Sequence, residues 1–157
     1  MEAITKEKLA KAKEEALIFF KKNKAISSPC FWWIKIKVTP NGFNHLEWQR
    51  ENHRRSANES FMRYVCFKHI KYILNNLELY QEYKEEMREF FIKKKGKKVK
   101  QKRIVEYFWF VAIVNNNKNR IKVVISKIDW WDNFEFVSVV PYWKMEWYSK
   151  LFFEEKA

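Results

Sequence analysis

An α+β fold is the class this sequence predicts, and three observations predict it. Apolar residues recur every three to four positions through much of the first half,. They form strand-length alternating or continuous apolar segments in the second half,. The 157 residues, 47% of them hydrophobic, suit one domain with a buried core,.

Residues 4–23 read as a helix. Ile4, Leu9, Ala12, Ala16, Leu17, Phe19 and Phe20 fall on the helical repeat, Thr5 can cap it, and Ser27-Ser28-Pro29 breaks it,. Cys30–Thr39 reads as a strand, because Trp33, Lys35, Lys37 and Thr39 alternate with Ile34, Ile36 and Val38,. Pro40-Asn41-Gly42 ends it as a turn,. Residues 59–79 predict a strong helix capped at Ser56 or Asn58, with Phe61, Val65, Ile70, Ile73 and Leu77 on one side,. Tyr80–Ile92 predicts a second helical piece, with Tyr83, Met87, Phe90 and Phe91 as its apolar stripe. The run that follows, Lys93–Arg103, predicts a loop or a frayed helix end. Ile104–Val114, Arg120–Ile128 and Phe134–Val140 then predict an antiparallel three-strand meander, joined at Asn115–Asn119 and Asp129–Asn133,. The last strand stops at Pro141, and Tyr142–Lys156 reads as a short amphipathic helix or irregular tail,. No repeat or second domain is visible. The expected division is an N-terminal helix over 1–28, a core over 31–143 and a tail over 144–157.

Charge limits the partners. The chain carries +13 at pH 7, and Lys93–Arg103 holds eight cations in eleven residues with no acid. A polyanion is the first partner to consider, and nucleic acid is the commonest. Aromatics make up 18%, so this is no disordered basic tail,. Cys30 and Cys66 make neither a disulfide framework nor a zinc site, and both read as buried thiols in a reducing, cytoplasmic setting,. No membrane span and no apolar signal core are expected.

Several chemistries have no motif here: there is no Gly-rich phosphate loop, HExxH, CxxC or GxSxG,. Three histidines are too scattered for a metal site, and His69 reads as a satisfied core or boundary residue. Asp129, Asp132 and Glu135 near a turn read as a solvated hairpin more readily than as a two-metal centre. No metal and no cofactor is expected.

The segment Asn44–Ser56 stands apart because it gathers His45, Glu47, Arg50, His53, Arg54 and Arg55 between a predicted strand and helix,. RNA cleavage without metal needs a base for the 2′-hydroxyl, a cation for the pentacovalent phosphate and an acid for the leaving oxygen. Histidine titrates near neutrality, and arginine grips phosphate in two-pronged fashion. A polar helix entry with exposed charges explains the same residues. Arg120, opening a strand, and Ser138, among Val and Phe, are further candidates for a phosphate contact. Trp130, Trp131, Tyr142, Trp143 and Trp147 offer stacking surfaces or core,.

Gly42-Phe43-Asn44-His45-Leu46, the helices after it, Arg120-Ile121-Lys122-Val123-Val124-Ile125 and Phe136-Val137-Ser138-Val139-Val140-Pro141 together resemble the phage-associated branch of the barnase/EndoU/colicin/RelE-like (BECR) nuclease superfamily. The resemblance spans roughly residues 31–143. It implies N-terminal helices packed on a four-stranded, mainly antiparallel sheet, and a metal-independent ribonuclease used as a toxin or effector. It implies His45 as the acid or base, Arg120 as the phosphate-stabilising cation and Ser138 as the polar residue of the last strand. Trp48, where a small residue is expected after His-Leu, departs from the pattern, as do the lysine-rich insert and the tail.

The leading expectation is therefore RNA cleavage between the 45–55 junction and the sheet. Arg50, Arg54 and Arg55 would hold phosphates, and Lys94, Lys95, Lys97, Lys98, Lys100, Lys102 and Arg103 would steer RNA. RNA, with tRNA among the candidates, is the expected partner. An acidic immunity or antitoxin protein is a second one, since opposite charge speeds capture. Two alternatives stay open: a non-catalytic nucleic-acid-binding protein, and a module that blocks a host or phage factor through its Trp-rich surface.

Overall fold

The computed structural model describes residues 4–50, 52–114, 119–128 and 133–141. Helix α1, Lys6–Lys22, forms as its apolar spacing predicts. Thr5 accepts a hydrogen bond from the Lys8 amide, and the face carrying Ala12, Ala16 and Phe20 is buried,. Asn23 ends it, its backbone and side-chain amides both donating to the Phe19 carbonyl. Strand β1, Ala25–Ser27, follows before the expected breaker is reached.

The strand expected over Cys30–Thr39 shrinks to β2, Lys35–Lys37. Ser28 accepts from the Cys30 amide and Pro29 opens a 3-10 turn over Pro29–Phe31. Such local capping competes with a strand ladder. Trp32 and Trp33 then adopt left-handed φ values of 55° and 63°, and the turn seats Phe31 on Phe134 with ring centroids 4.0 Å apart. Pro40-Asn41-Gly42 likewise opens a helix, α2, Pro40–Asn44, with Thr39 accepting from the Gly42 amide,. Gly42 is needed for close approach: a Cβ there would stand 2.6 Å from the Phe136 carbonyl oxygen.

A small ribbon, β3 (Trp48–Arg50) and β4 (His53–Arg54), precedes α3, Ala57–Phe67, which Ser56 caps through the Glu59 amide. The long helix expected over 59–79 divides at Lys68–His69 into α3 and α4, Ile70–Asn76. His69 precedes α4 without capping it, and its Nε2 is buried with no partner, so it is not the satisfied residue the sequence suggested. Cys66 is buried, which pushes its thiol up to about 12, whereas Cys30 is only half-buried; both are free,.

The largest departure is at Tyr80–Ile92. This expected helix is strand β5, Glu82–Lys94, and it pairs antiparallel along its whole length with β6, Lys97–Val114. The basic run is consequently a hairpin end and not a loose loop. Lys95 and Gly96, at φ 50° and 77°, make a two-residue turn between Lys94 and its partner Lys97,. Strands β7, Asn119–Ile128, and β8, Phe134–Pro141, complete the predicted meander. The sheet is six-stranded and mixed, in the order β1-β2-β8-β7-β6-β5, where the sequence reading expected four strands. β1 and β5 add its two edges, and β2 lies parallel to β8. A bulge opposite Val124–Ile125 leaves Val137 as the extra residue of β8,. Most of the Asn115–Asn119 loop, residues 129–132 with Trp130 and Trp131, and the tail from Tyr142 lie outside the described residues.

One face of this sheet carries Phe108, Phe110, Ile121, Val123, Ile125, Phe134, Phe136 and Val139, all buried. α1, α3 and α4 pack on it through Phe20, Phe67, Ile70, Ile73 and Leu74. Phe67 sits at the centre, its ring against Phe19, Phe43 and Phe136. No helix among the described residues is long and apolar enough to cross a membrane. The opposite face carries the polar residues that matter next.

Candidate active site

Register places three polar side chains side by side on that opposite face. Tyr107 of β6 pairs with Ser126 of β7, and Ser126 pairs with Glu135 of β8. Directly opposed residues of this kind have Cβ atoms about 4.5–5.5 Å apart. Arg88 joins them from β5, its Nη1 donating to the Tyr107 hydroxyl at 2.9 Å. His45, which follows the last turn of α2, closes the group from the bared edge of β8. Together with Val105, Ile128, Phe136 and Val137 these residues line a cleft of about 170 Å³. His45 also borders a second hollow, of about 350 Å³, with Asn41, Asn44, Trp48 and Arg50. A further hollow, of about 540 Å³ between α1 and α3, holds Glu47 already satisfied by its neighbours, so the smaller cleft is the better chemical candidate.

The neighbourhood of His45 favours a neutral imidazole. Burial first, then the positive charges of Arg55, Arg63 and Arg88, hold it below the usual histidine range, against an opposing contact with the Trp48 backbone,. Its position is fixed from behind. Arg55 Nε donates to the His45 carbonyl at 3.0 Å, and the Arg55 amide donates to the Glu47 carbonyl at 2.8 Å. Glu47 in turn accepts from Lys13 at 3.0 Å, from the Tyr64 hydroxyl at 3.2 Å and from Arg54. Burial would raise the Glu47 carboxyl, yet Lys13 and Arg54 hold it below the ordinary range. The β3–β4 ribbon is thereby tied to α1 and α3, and His45 with it.

Of the residues given a ribonuclease role in the sequence, His45 alone stands in the cleft, beside Glu135, which the sequence placed in a solvated hairpin. Arg50 lines the adjoining hollow. Arg54 pairs with Glu47 and lies over the Trp48 ring at 5.9 Å, and Arg55 serves as a backbone support. Arg120 is a correction. It pairs with Ile113, six residues along β7 from Ser126, which at about 3.3 Å per residue is about 20 Å away. Ser138 is another. Its hydroxyl accepts from Arg63 Nη1 at 2.8 Å, and the same nitrogen donates to the Val139 carbonyl at 3.0 Å. Arg63 thus covers an edge of β8 that β2 is too short to pair, and burial brings its guanidinium down to about 10. Lys94, Lys95, Lys97, Lys98, Lys100 and Lys102 are exposed on the β5–β6 hairpin with the half-buried Arg103.

Arg88, Tyr107 and Ser126 were missed as site residues, and Glu135 was weighed only as a two-metal ligand, but a signal for Tyr107 and Ser126 was present. Pairing β6 with β7 from the Val114–Asn119 rung sets Tyr107 opposite Ser126, so the row follows once that rung is taken as the start of the hairpin ladder. Arg88 could not be found while its segment read as a helix. Among the described residues no three His, Cys, Asp or Glu side chains gather as a metal-binding cluster. No family model, curated protein or solved structure matches the chain.

Proposed function

We propose that the protein is a ribonuclease of the BECR type, working without metal in the cytoplasm as a toxin or effector of a phage or mobile element. The observation that carries this reading is the convergence of an imidazole, a guanidinium, two hydroxyls and a carboxylate on one face of the sheet. These groups suit transesterification. Neutral His45 takes the 2′-hydroxyl proton as the 2′-oxygen bonds to phosphorus. Arg88 and Ser126 balance charge on the phosphate oxygens. The bond from phosphorus to the 5′-oxygen breaks, and Tyr107 protonates that oxygen. Arg88 occupies a lone pair of the Tyr107 oxygen, leaving its O–H to donate. Glu135 orients the attacking hydroxyl. The products are a 2′,3′-cyclic phosphate and a free 5′-hydroxyl. An acidic immunity or antitoxin protein is the natural counterpart of such an activity on a +13 chain,.

The test is incubation of total tRNA and a labelled RNA pool with the protein in EDTA, beside His45→Ala. Cyclic-phosphate ends from the wild type, falling by about 10²–10⁴ in the variant, are expected. A second reading, RNA binding without cleavage, has Trp48 in its favour, because that exposed ring lines the hollow beside His45, where a base can stack on it,. Intact RNA retained equally by both proteins would select it.

A further inference from the structure

Resting on the RNA reading above, we propose that the outer half of the β5–β6 hairpin is a rigid arm that enters the groove of an RNA stem. The enzyme's substrate class is then RNA in which a helical stem adjoins the unpaired strand to be cleaved. Among the described residues β7 ends at Ile128, opposite Val105. Beyond that rung the hairpin continues for eight more pairs, from Met87–Ile104 to Lys94–Lys97. At about 3.3 Å per residue this is about 26 Å of two-stranded ribbon. β5 is the sheet's terminal strand, and among the described residues no element pairs with either edge of the arm.

The charge on the arm is two-sided, and this decides what it fits. Alternation sends Arg88, Arg103, Lys94 and Lys97 to the cleft face of the ribbon,. It sends Lys93, Lys98, Lys100 and Lys102 to the opposite face. Lys95 stands at the tip turn. A membrane or a flat acidic patch meets one face of a ribbon and leaves the other face's cations without use. Two phosphate backbones flanking a groove meet both. In RNA the wide, shallow minor groove is the accessible one, with its phosphates on either side. The arm is also continuous with the cleft, since Arg88 and Phe90 at its base line the space beside His45. A stem seated on the arm therefore delivers its adjoining single strand to the imidazole.

The test uses full-length protein carrying His45→Ala, so that RNA stays intact. Two double variants are compared, Lys94→Gln with Lys97→Gln on one face and Lys93→Gln with Lys98→Gln on the other. The probes are a labelled RNA stem-loop and an unpaired RNA of equal length. Each double variant should weaken stem-loop binding about fivefold and flatten the log–log salt dependence by about 2, near 0.9 per lost phosphate contact. Unpaired RNA should change by less than about twofold. Loss from only one face, equal loss on both RNAs, or binding of anionic lipid vesicles without preference for the stem overturns the proposal. A DNA stem of the same sequence competing as well as RNA overturns the assignment to RNA. Stem preference in a wild type that cleaves nothing sinks the proposed function and supports the arm. Cleavage without stem preference does the reverse.

Discussion

The body and the arm are made by different rules. In the body, the main sheet has a buried face, which forms one core with Phe20, Phe67, Ile70 and Leu74 of α1, α3 and α4. In the arm, Met87–Glu89 and Lys93–Lys102 are exposed throughout, with Met87 and Phe91 among the most exposed apolar side chains of the described residues. The body is held by burial. The arm is held by its ladder of backbone hydrogen bonds and by the turn that fixes its register. A region without a buried face is free to evolve in charge, and the arm has used that freedom to collect lysine.

The comparison can be broken most forcefully at Phe67. Phe67→Ala should cost about 3–5 kcal/mol, while Phe91→Ser on the arm should stay within about 0.5 kcal/mol, both read from urea midpoints at constant slope. Similar losses at the two positions would mean that the arm has a core of its own. Next in size is Arg63→Met. It strips the covered edge of β8, leaves the Val139 carbonyl without its donor, and should cost about 1–3 kcal/mol. Cleavage per folded molecule should largely remain, because Arg63 contacts Ser138 and the Val139 carbonyl and reaches His45 only through its charge. A third variant sharpens the boundary. Gly96→Ala forces an alanine to φ 77°, costing about 1 kcal/mol. Amide exchange should accelerate from Met87 to Ile104 and remain unchanged in Phe108–Val114; acceleration in both would make the two regions one cooperative unit.

The smallest effect lies where the regions meet. Arg88 belongs to the base of the arm yet is one of the positive charges depressing His45. A cation disfavours the imidazolium, so its removal raises the pKa. In Arg88→Gln the acid limb of kcat/KM, expected below the usual histidine value of about 6.5, should move upward by less than about one pH unit. The rate should also fall through loss of the phosphate contact. An acid limb that stays in place would show that Arg88 and His45 do not share a field.

What the sequence disclosed follows the same division. α1, the meander and the capping of α3 by Ser56 were readable because half-buried elements print their period into the chain. The segment 80–92 was not. With β5 largely in water on both faces, Tyr83, Met87 and Phe91 are exposed and Phe90 only half-buried, so the segment carries no clear two-residue burial period and its apolar spacing imitates a helical stripe. Cys30–Thr39 misled in the opposite way, since true alternation across Ile34, Ile36 and Val38 was overruled by the Ser28 cap. At the site, His45 was legible from local chemistry. Arg88, Tyr107, Ser126 and Glu135 come from four strands, and their meeting is a property of register.

The parallel pairing of β2 with β8 has a consequence for synthesis. Ile36 waits for Phe134, about 100 residues later in the chain, a loop whose closure is slow compared with local turns. Glu135, Phe136 and Val137 are among the last described residues to leave the ribosome, and they form one whole wall of the cleft. A nascent chain exposes its basic arm while the wall is still missing. On the proposed ribonuclease reading, the arm would meet RNA before the cleft is complete. The order of synthesis thus separates the arm, whose strands are finished by Ile104, from the cleft, which waits for Glu135, Phe136 and Val137.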